Sequence, residues 1–178
     1  PHAGVLTGAP LTDVRLTLVT GRAHDKHTEG GDFREAARRA VRQGLMCAES
    51  VLLEPYYAFT AVVPAQLAGR VMTDVTRLGG ECEPPEETGD VFCIRGRGPV
   101  ASFLHYGLEL TRASGGRSSF SAAVEGFAPC RSAQEVIAAR AYDPEADREN
   151  PAASIFCSHG AGFPVRWQDA PRYMHIKT

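Results

Sequence analysis

Apolar and polar positions alternate over residues 13–20. Val14, Leu16 and Leu18 fall on one face, Arg15 and Thr17 on the other, which predicts a strand ending at Gly21. Residues 22–31 carry no apolar period and read as a polar loop with two glycines at its exit. A helix is predicted next. Asp32 is its candidate N-cap and Glu35, three residues on, completes a capping box. Phe33, Ala36, Ala37, Ala40 and Val41 make its apolar face, and Arg34, Arg38, Arg39 and Arg42 lie toward the other. Small alanines there would let it sit close to a sheet. Gly44 weakens its second half, and it should end before Leu52.

A denser pattern follows Pro55. Residues 56–63 read as a strand, and Pro64 opens a helix whose buried stripe is Leu67, Val71, Val75 and Leu78. Gly79 and Gly80 close it. Residues 81–90 hold five acids with Pro84, Pro85 and Gly89, a solvated hairpin region. Residues 91–95 are a strand. Pro99 starts a second helix with Val100, Phe103, Leu104, Gly107 and Leu110 or Thr111 inward, stopped by Gly115 and Gly116. Residues 118–127 are a final strand with Phe120, Ala122 and Val124 on one face. This order is the split βαβ, ferredoxin-like arrangement: an α+β fold with a four-stranded antiparallel sheet and both helices on one side.

The remainder is less regular. Residues 131–140 form one short helix and 143–151 a polar loop. Residues 155–157 and 163–167 are two short strands around Ser158 to Gly162, and Asp169 precedes a last helical turn through Arg172, Tyr173 and Met174.

Composition narrows the class. The 178 residues suffice for one ordinary domain or two small ones. With 43 % apolar and 22 % charged residues the chain is globular rather than disordered, and no run approaches ~18 apolar residues. Five widely spaced cysteines without a C-x-x-C read as reduced thiols of a cytoplasmic protein. The missing initial Met suggests a fragment, and no secretory signal opens it. Net charge is −2, so nucleic-acid contact would be local. All but two of the 19 basic residues, Lys26 and Lys177, are Arg, a type suited to bidentate phosphate contacts.

His24, Asp25, Lys26 and His27 form the densest polar cluster. It reads as a solvated loop, as a metal site helped by Asp25, Glu29 or Asp32, or as a recognition tip on a rigid frame. The H-x-x-H spacing lacks the i, i+4 helical geometry of a zinc protease. Cys157 and His159 would share a face of an extended chain, but no third group orients them, and packing is the favoured role. No G-x-x-x-x-G-K-[ST] loop, G-x-S-x-G elbow or H-E-x-x-H occurs. Gly96-Arg97-Gly98 and Gly115-Gly116-Arg117 are too short to cradle phosphates. Strand 91–95 lacks the aromatic pair with which RNA-recognition modules stack bases.

Several segments in order resemble the C-terminal part of elongation factor G-like translational GTPases. They are residues 4–14, Gly21-Arg22-Ala23-His24-Asp25, Leu52-Leu53-Glu54-Pro55, Gly69-Arg70-Val71-Met72-Thr73-Asp74, Gly80-Glu81, and Gly115-Gly116-Arg117-Ser118-Ser119-Phe120. Gly31-Asp32-Phe33-Arg34 and the tail 154–163, ending Tyr173-Met174-His175, resemble the tetracycline ribosomal protection branch. The resemblance implies part of a domain IV-like unit in 1–51, a domain V-like ferredoxin fold in 52–128, and a C-terminal extension in 129–178 packing back on the first. It implies no catalytic residue, metal or cofactor here, and a parent GTPase using GTP and Mg.

The implied partner is the ribosome, at the small-subunit decoding region and the large-subunit factor-binding region, with no membrane and no DNA. The implied contacts are His24, Asp25, Lys26, His27, Thr28, Asp32 and Arg34 at the tip. Arg70, Arg77 and Arg117 follow in the domain V-like part, and Arg172, Tyr173 and His175 in the tail. The implied function is displacement of tetracycline by the tip. The alternatives are the C-terminal domains of a translocation factor and a stand-alone protein-interaction domain. An enzyme built on the His24/His27 or Cys157/His159 pair is the remaining reading.

Overall fold

The computed structural model describes residues 2–23 and 28–174, which form two compact units. In the first, residues 52–131, strand β1 (Leu53–Pro64) runs through an antiparallel sheet between β4 (Val91–Pro99) and β5 (Ser119–Pro129). Two short strands, β2 (Glu81–Cys82) and β3 (Glu86–Thr88), pair successively along the other side of β4. Pro84 and Pro85 separate them, since a prolyl nitrogen cannot donate to a ladder. Helices α2 (Ala65–Arg77), α3 (Val100–Phe103) and α4 (Tyr106–Ala113) pack on the face that carries Phe59, Ala61 and Val63. The predicted split βαβ order is the observed one.

An aromatic cluster fills this core. Phe59 stacks on Phe103 and Phe120 with centroids 5.2 and 5.4 Å apart, and Tyr106 meets Phe103 and Phe120 edge-on at 5.6 Å. Room for the rings comes from β4. A Cβ on Gly98 would collide with the Phe103 ring, and one on Gly96 would stand 2.6 Å from Phe59. These glycines carry β4 past its predicted end at Arg95, as the floor under two phenyl rings.

Both main helices stop as predicted. Gly79 N donates to Thr76 O and Gly80 N to Val75 O; Gly115 N donates to Arg112 O and Gly116 N to Thr111 O. Each is a Schellman cap with its first glycine at positive φ. One phase expectation fails. Leu104 is 60 % exposed, because the inward stripe runs through Phe103, Tyr106 and Leu110 and leaves Leu104 on its flank, at the break between α3 and α4.

The second unit comprises residues 2–51 and 132–174. Helix α1 (Gly30–Cys47) starts two residues before its predicted cap: Glu29 is the N-cap, and its N–H donates to Asp32 Oδ2 at 3.0 Å. Glu35 pairs with Arg39 at 2.6 Å rather than closing the box. The predicted apolar face is outward: Phe33 is 58 % exposed and Ala36, Ala37 and Ala40 are exposed, whereas Arg42, Gln43 and Leu45 are buried. The predicted strand 13–20 is absent. Leu16 is 60 % and Leu18 is 89 % exposed, and no strand pairs with this segment among the described residues. A strand exists through its ladder, and alternation alone does not supply one.

Helix α5 (Ala133–Arg140) leads into the polar loop. Strands β6 (Ser154–Ser158) and β7 (Ala161–Val165) form a hairpin closed by His159 and Gly160, both at positive φ, the two-residue turn that matches strand twist. A 3₁₀ turn (Ala170–Arg172) follows Asp169.

Candidate functional site

The tip residues His24, Asp25, Lys26 and His27, and the tail residue His175, lie outside the described residues. What the structure places is their support. Thr28 is half-buried just before α1, and Asp32 is committed to the Glu29 backbone N–H. Arg34 is exposed at the start of the second turn of α1, one turn ahead of the exposed Arg38.

Side chains of α1 hold the rest of their unit by its backbone. Arg39 donates to the Ala153 carbonyl, and Gln43 Nε2 to the Trp167 carbonyl at 2.8 Å. Buried Arg42 donates to Ala3 O at 3.0 Å, to Pro144 O at 3.1 Å and to the Tyr142 hydroxyl at 3.0 Å. Tyr142 in turn donates to Asp147 Oδ2 at 2.7 Å, and Asp147 also accepts from the Glu149 and Asn150 N–H groups and Asn150 Nδ2. The Tyr142 hydrogen bond, then those from Asn150, hold the Asp147 carboxyl well below the usual carboxylate range. Burial, then the bond to Asp147, pushes the Tyr142 phenol up. Glu145 accepts from Trp167 Nε1 at 2.9 Å, which together with Gln168 and Arg166 lowers its carboxyl.

On the unit of residues 52–131, α2 brings Arg70 and Arg77 together. They flank Asp74 at 3.5 and 3.0 Å, and more than half of each arginine side chain is exposed. Tyr106 donates to the same carboxylate at 3.4 Å. Burial, then Asp74, pushes the Tyr106 phenol well up. Arg117 is used differently: its Nε donates to Ser114 O at 3.1 Å, on the C-terminal turn of α4.

In the tail, Arg172 pairs with Asp169 at 3.3 Å. Tyr173 packs its ring against Phe156 and Phe163, 5.6 and 5.7 Å away, so it staples the hairpin as well as facing solvent.

The enzyme readings find no geometry among the described residues. His159 occupies a left-handed turn position, so the chain is not extended there, and no hydrogen bond joins it to Cys157. No group of three His, Cys, Asp or Glu among them could hold a metal. Gly96-Arg97-Gly98 is a packed strand and Gly115-Gly116 a helix cap, so neither fits a nucleotide phosphate. No helix among the described residues is long and apolar enough to cross a membrane.

Sequence reasoning missed the open face of the sheet. Alternation along β4 turns Ile94 inward and Arg95 and Arg97 outward over a groove of ≈ 680 Å³, whose floor includes Ala58, Thr60 and Ser121. Arg95 pairs with Glu86 at 2.7 Å, and Arg97 lies 5.3 Å over the Tyr56 ring. The period-two spacing of the two arginines was the available signal.

The chain resembles known proteins in sequence and fold. Residues 2–49 match the family model of elongation factor G, domain IV, and residues 51–137 match that of the elongation factor G C-terminus. Elongation factor G 2 of Syntrophomonas wolfei is 33 % identical over 141 residues, 78 % of this chain and 20 % of that protein. A solved protein of Thermus thermophilus superposes with a TM-score of 0.51 at 26 % identity, over 55 % of this chain and 15 % of that one. The chain thus spans about one fifth of the length of the relative it matches.

Proposed function

Because the chain belongs to the elongation factor G family, carrying its domain IV and C-terminal units in that order, we propose that it is the ribosome-engaging end of a translational GTPase that drives translocation. GTP and Mg belong to residues outside this chain, since none of the described glycine turns fits a phosphate cradle.

The observation that carries the reading is the division of labour on α1. Its outward face offers Arg34 and Arg38, which follow residues 24–28 in sequence, while Arg39, Arg42 and Gln43 fasten the helix to the backbone of its own unit. A tip entering an RNA cleft needs short polar groups for base edges and phosphates, held on a stiff mount. Arg70 and Arg77 supply a second, separate phosphate-facing pair. Arg172 and the edge of Tyr173 extend the ribosome-facing groups from the tail.

A second reading, displacement of tetracycline, rests on Gly31-Asp32-Phe33-Arg34 and the tail 154–163. The family matches reach elongation factor G and stop at residue 137, so that reading stands on those two segments alone.

Alanine replacement of residues 24–28 in the full protein tests the tip. Ribosome-stimulated GTP hydrolysis should persist while tRNA–mRNA movement fails; unimpaired movement would overturn the assignment. Growth of cells expressing the protein on tetracycline separates the two readings.

A further inference from the structure

On α2 a single carboxylate serves two arginines. Asp74 Oδ1 accepts from Arg77 Nη2 at 3.0 Å, and Oδ2 stands 3.5 Å from Arg70 Nε. Arg70 precedes Asp74 by four residues and Arg77 follows it by three, so all three share one side of the helix. The Asp74 side chain is 16 % exposed, against 56 % and 62 % for the arginines. Its Oδ2 also accepts from the Tyr106 hydroxyl at 3.4 Å, and that ring is buried edge-on against Phe103 and Phe120. The carboxylate therefore ties two solvent-facing guanidiniums to the aromatic core.

Helix stability does not require that tie. Exposed pairs at i, i+3 and i, i+4 contribute little, and such a pair needs no hydroxyl beneath it. What the tie supplies is order. A free arginine side chain samples many rotamers, which a ligand must then freeze. Here each guanidinium turns one nitrogen to Asp74. Arg70 keeps both Nη groups and Arg77 keeps Nε and Nη1, with no other partner among the described residues. Those N–H groups suit bidentate contact with phosphate oxygens. We propose that Asp74 is a positioning residue: braced by Tyr106, it holds Arg70 and Arg77 as a preset two-pronged clamp for the phosphodiester backbone of RNA. The proposal rests on the ribosomal reading of the two arginines and adds the group that aims them. Coulomb's law by itself gives the opposite sign, since a carboxylate beside the clamp repels phosphate and its loss would tighten binding.

Binding of the full protein to ribosomes, followed over a range of salt, separates the two signs. Asp74→Asn should weaken binding several-fold and lower the salt slope by about 1, although it makes the surface more positive. Tyr106→Phe keeps the ring in the core, removes only the hydroxyl and leaves net charge unchanged; it should act in the same direction to a smaller extent. Denaturant unfolding of each variant accompanies the binding curves, because a merely structural role would move unfolding and leave the salt slope alone. Binding by Asp74→Asn that is unchanged or tighter, or a slope that stays at the wild-type value in both variants, overturns the proposal. If Arg70→Gln combined with Arg77→Gln also leaves binding and slope unchanged, the ribosomal reading of α2 falls with it. If that double variant weakens binding while Asp74→Asn does not, only the positioning role falls.

Discussion

The guanidinium of Arg42 and the hydroxyl of Tyr142, 100 residues apart in sequence, lie 3.0 Å apart, and the hydroxyl passes the interaction on to Asp147. The phenol accepts from a cation and donates to an anion. Tyr142→Phe should therefore strand both neighbours and destabilise this unit by about 1–3 kcal/mol in denaturant unfolding. A loss below about 0.5 kcal/mol would show that water replaces the hydroxyl.

The same relay sets an acid sensitivity. The folded pKa of Asp147 is depressed, so its contribution is complete above the unfolded carboxylate value of about 3.9 and is lost as pH falls from there toward the folded value. Melting temperature should drop as pH is lowered below about 4. Asp147→Asn should flatten that part of the profile.

Gly98→Ala should destabilise the ferredoxin-like unit by about 1–3 kcal/mol, since the new methyl would run into the Phe103 ring. Gly69→Ala, in α2 with nothing within 4 Å, should stabilise it by about 0.5–1 kcal/mol. Paired denaturation curves test the opposite signs.

Asp74→Asn should lower the titration midpoint of Tyr106, because the carboxylate adds to burial in holding that phenol protonated. Ultraviolet titration of the tyrosinate band reads this directly, and an unchanged midpoint would leave burial as the whole cause.

Replacing Arg70 and Arg77 by Gln should weaken ribosome binding and reduce its salt slope by about 2, one for each phosphate no longer neutralised. An unchanged slope would remove α2 from the interface.

Much of the ferredoxin-like unit was legible because its signals are local. The stripe of α2 reads directly as buried Val71 and Val75 and the glycine pairs read as caps; in the other unit His159-Gly160 falls between two short strands. The resemblance to elongation factor G was carried by the same kind of short segment, and the family matches over 2–49 and 51–137 agree with it. Leu104 was misread because the buried stripe runs Phe103–Tyr106–Leu110 at ordinary helical spacing and leaves Leu104 on its flank, which the apolar character of Leu104 does not reveal.

The sequence by itself determined where helices stop and which aliphatic residues line α2, since a cap or a 3.6-residue stripe needs only neighbours along the chain. Tertiary structure alone decided that Arg42 is buried and that Arg95 and Arg97 share an open sheet face; among the described residues no strand pairs with 13–20 and Phe33 is exposed. Each of those depends on a partner distant in sequence: a ladder strand, carbonyls from Ala3 and Pro144, or the register of β4 against β1. Local pattern gives an element its period, but burial is assigned by whatever surface comes to meet it.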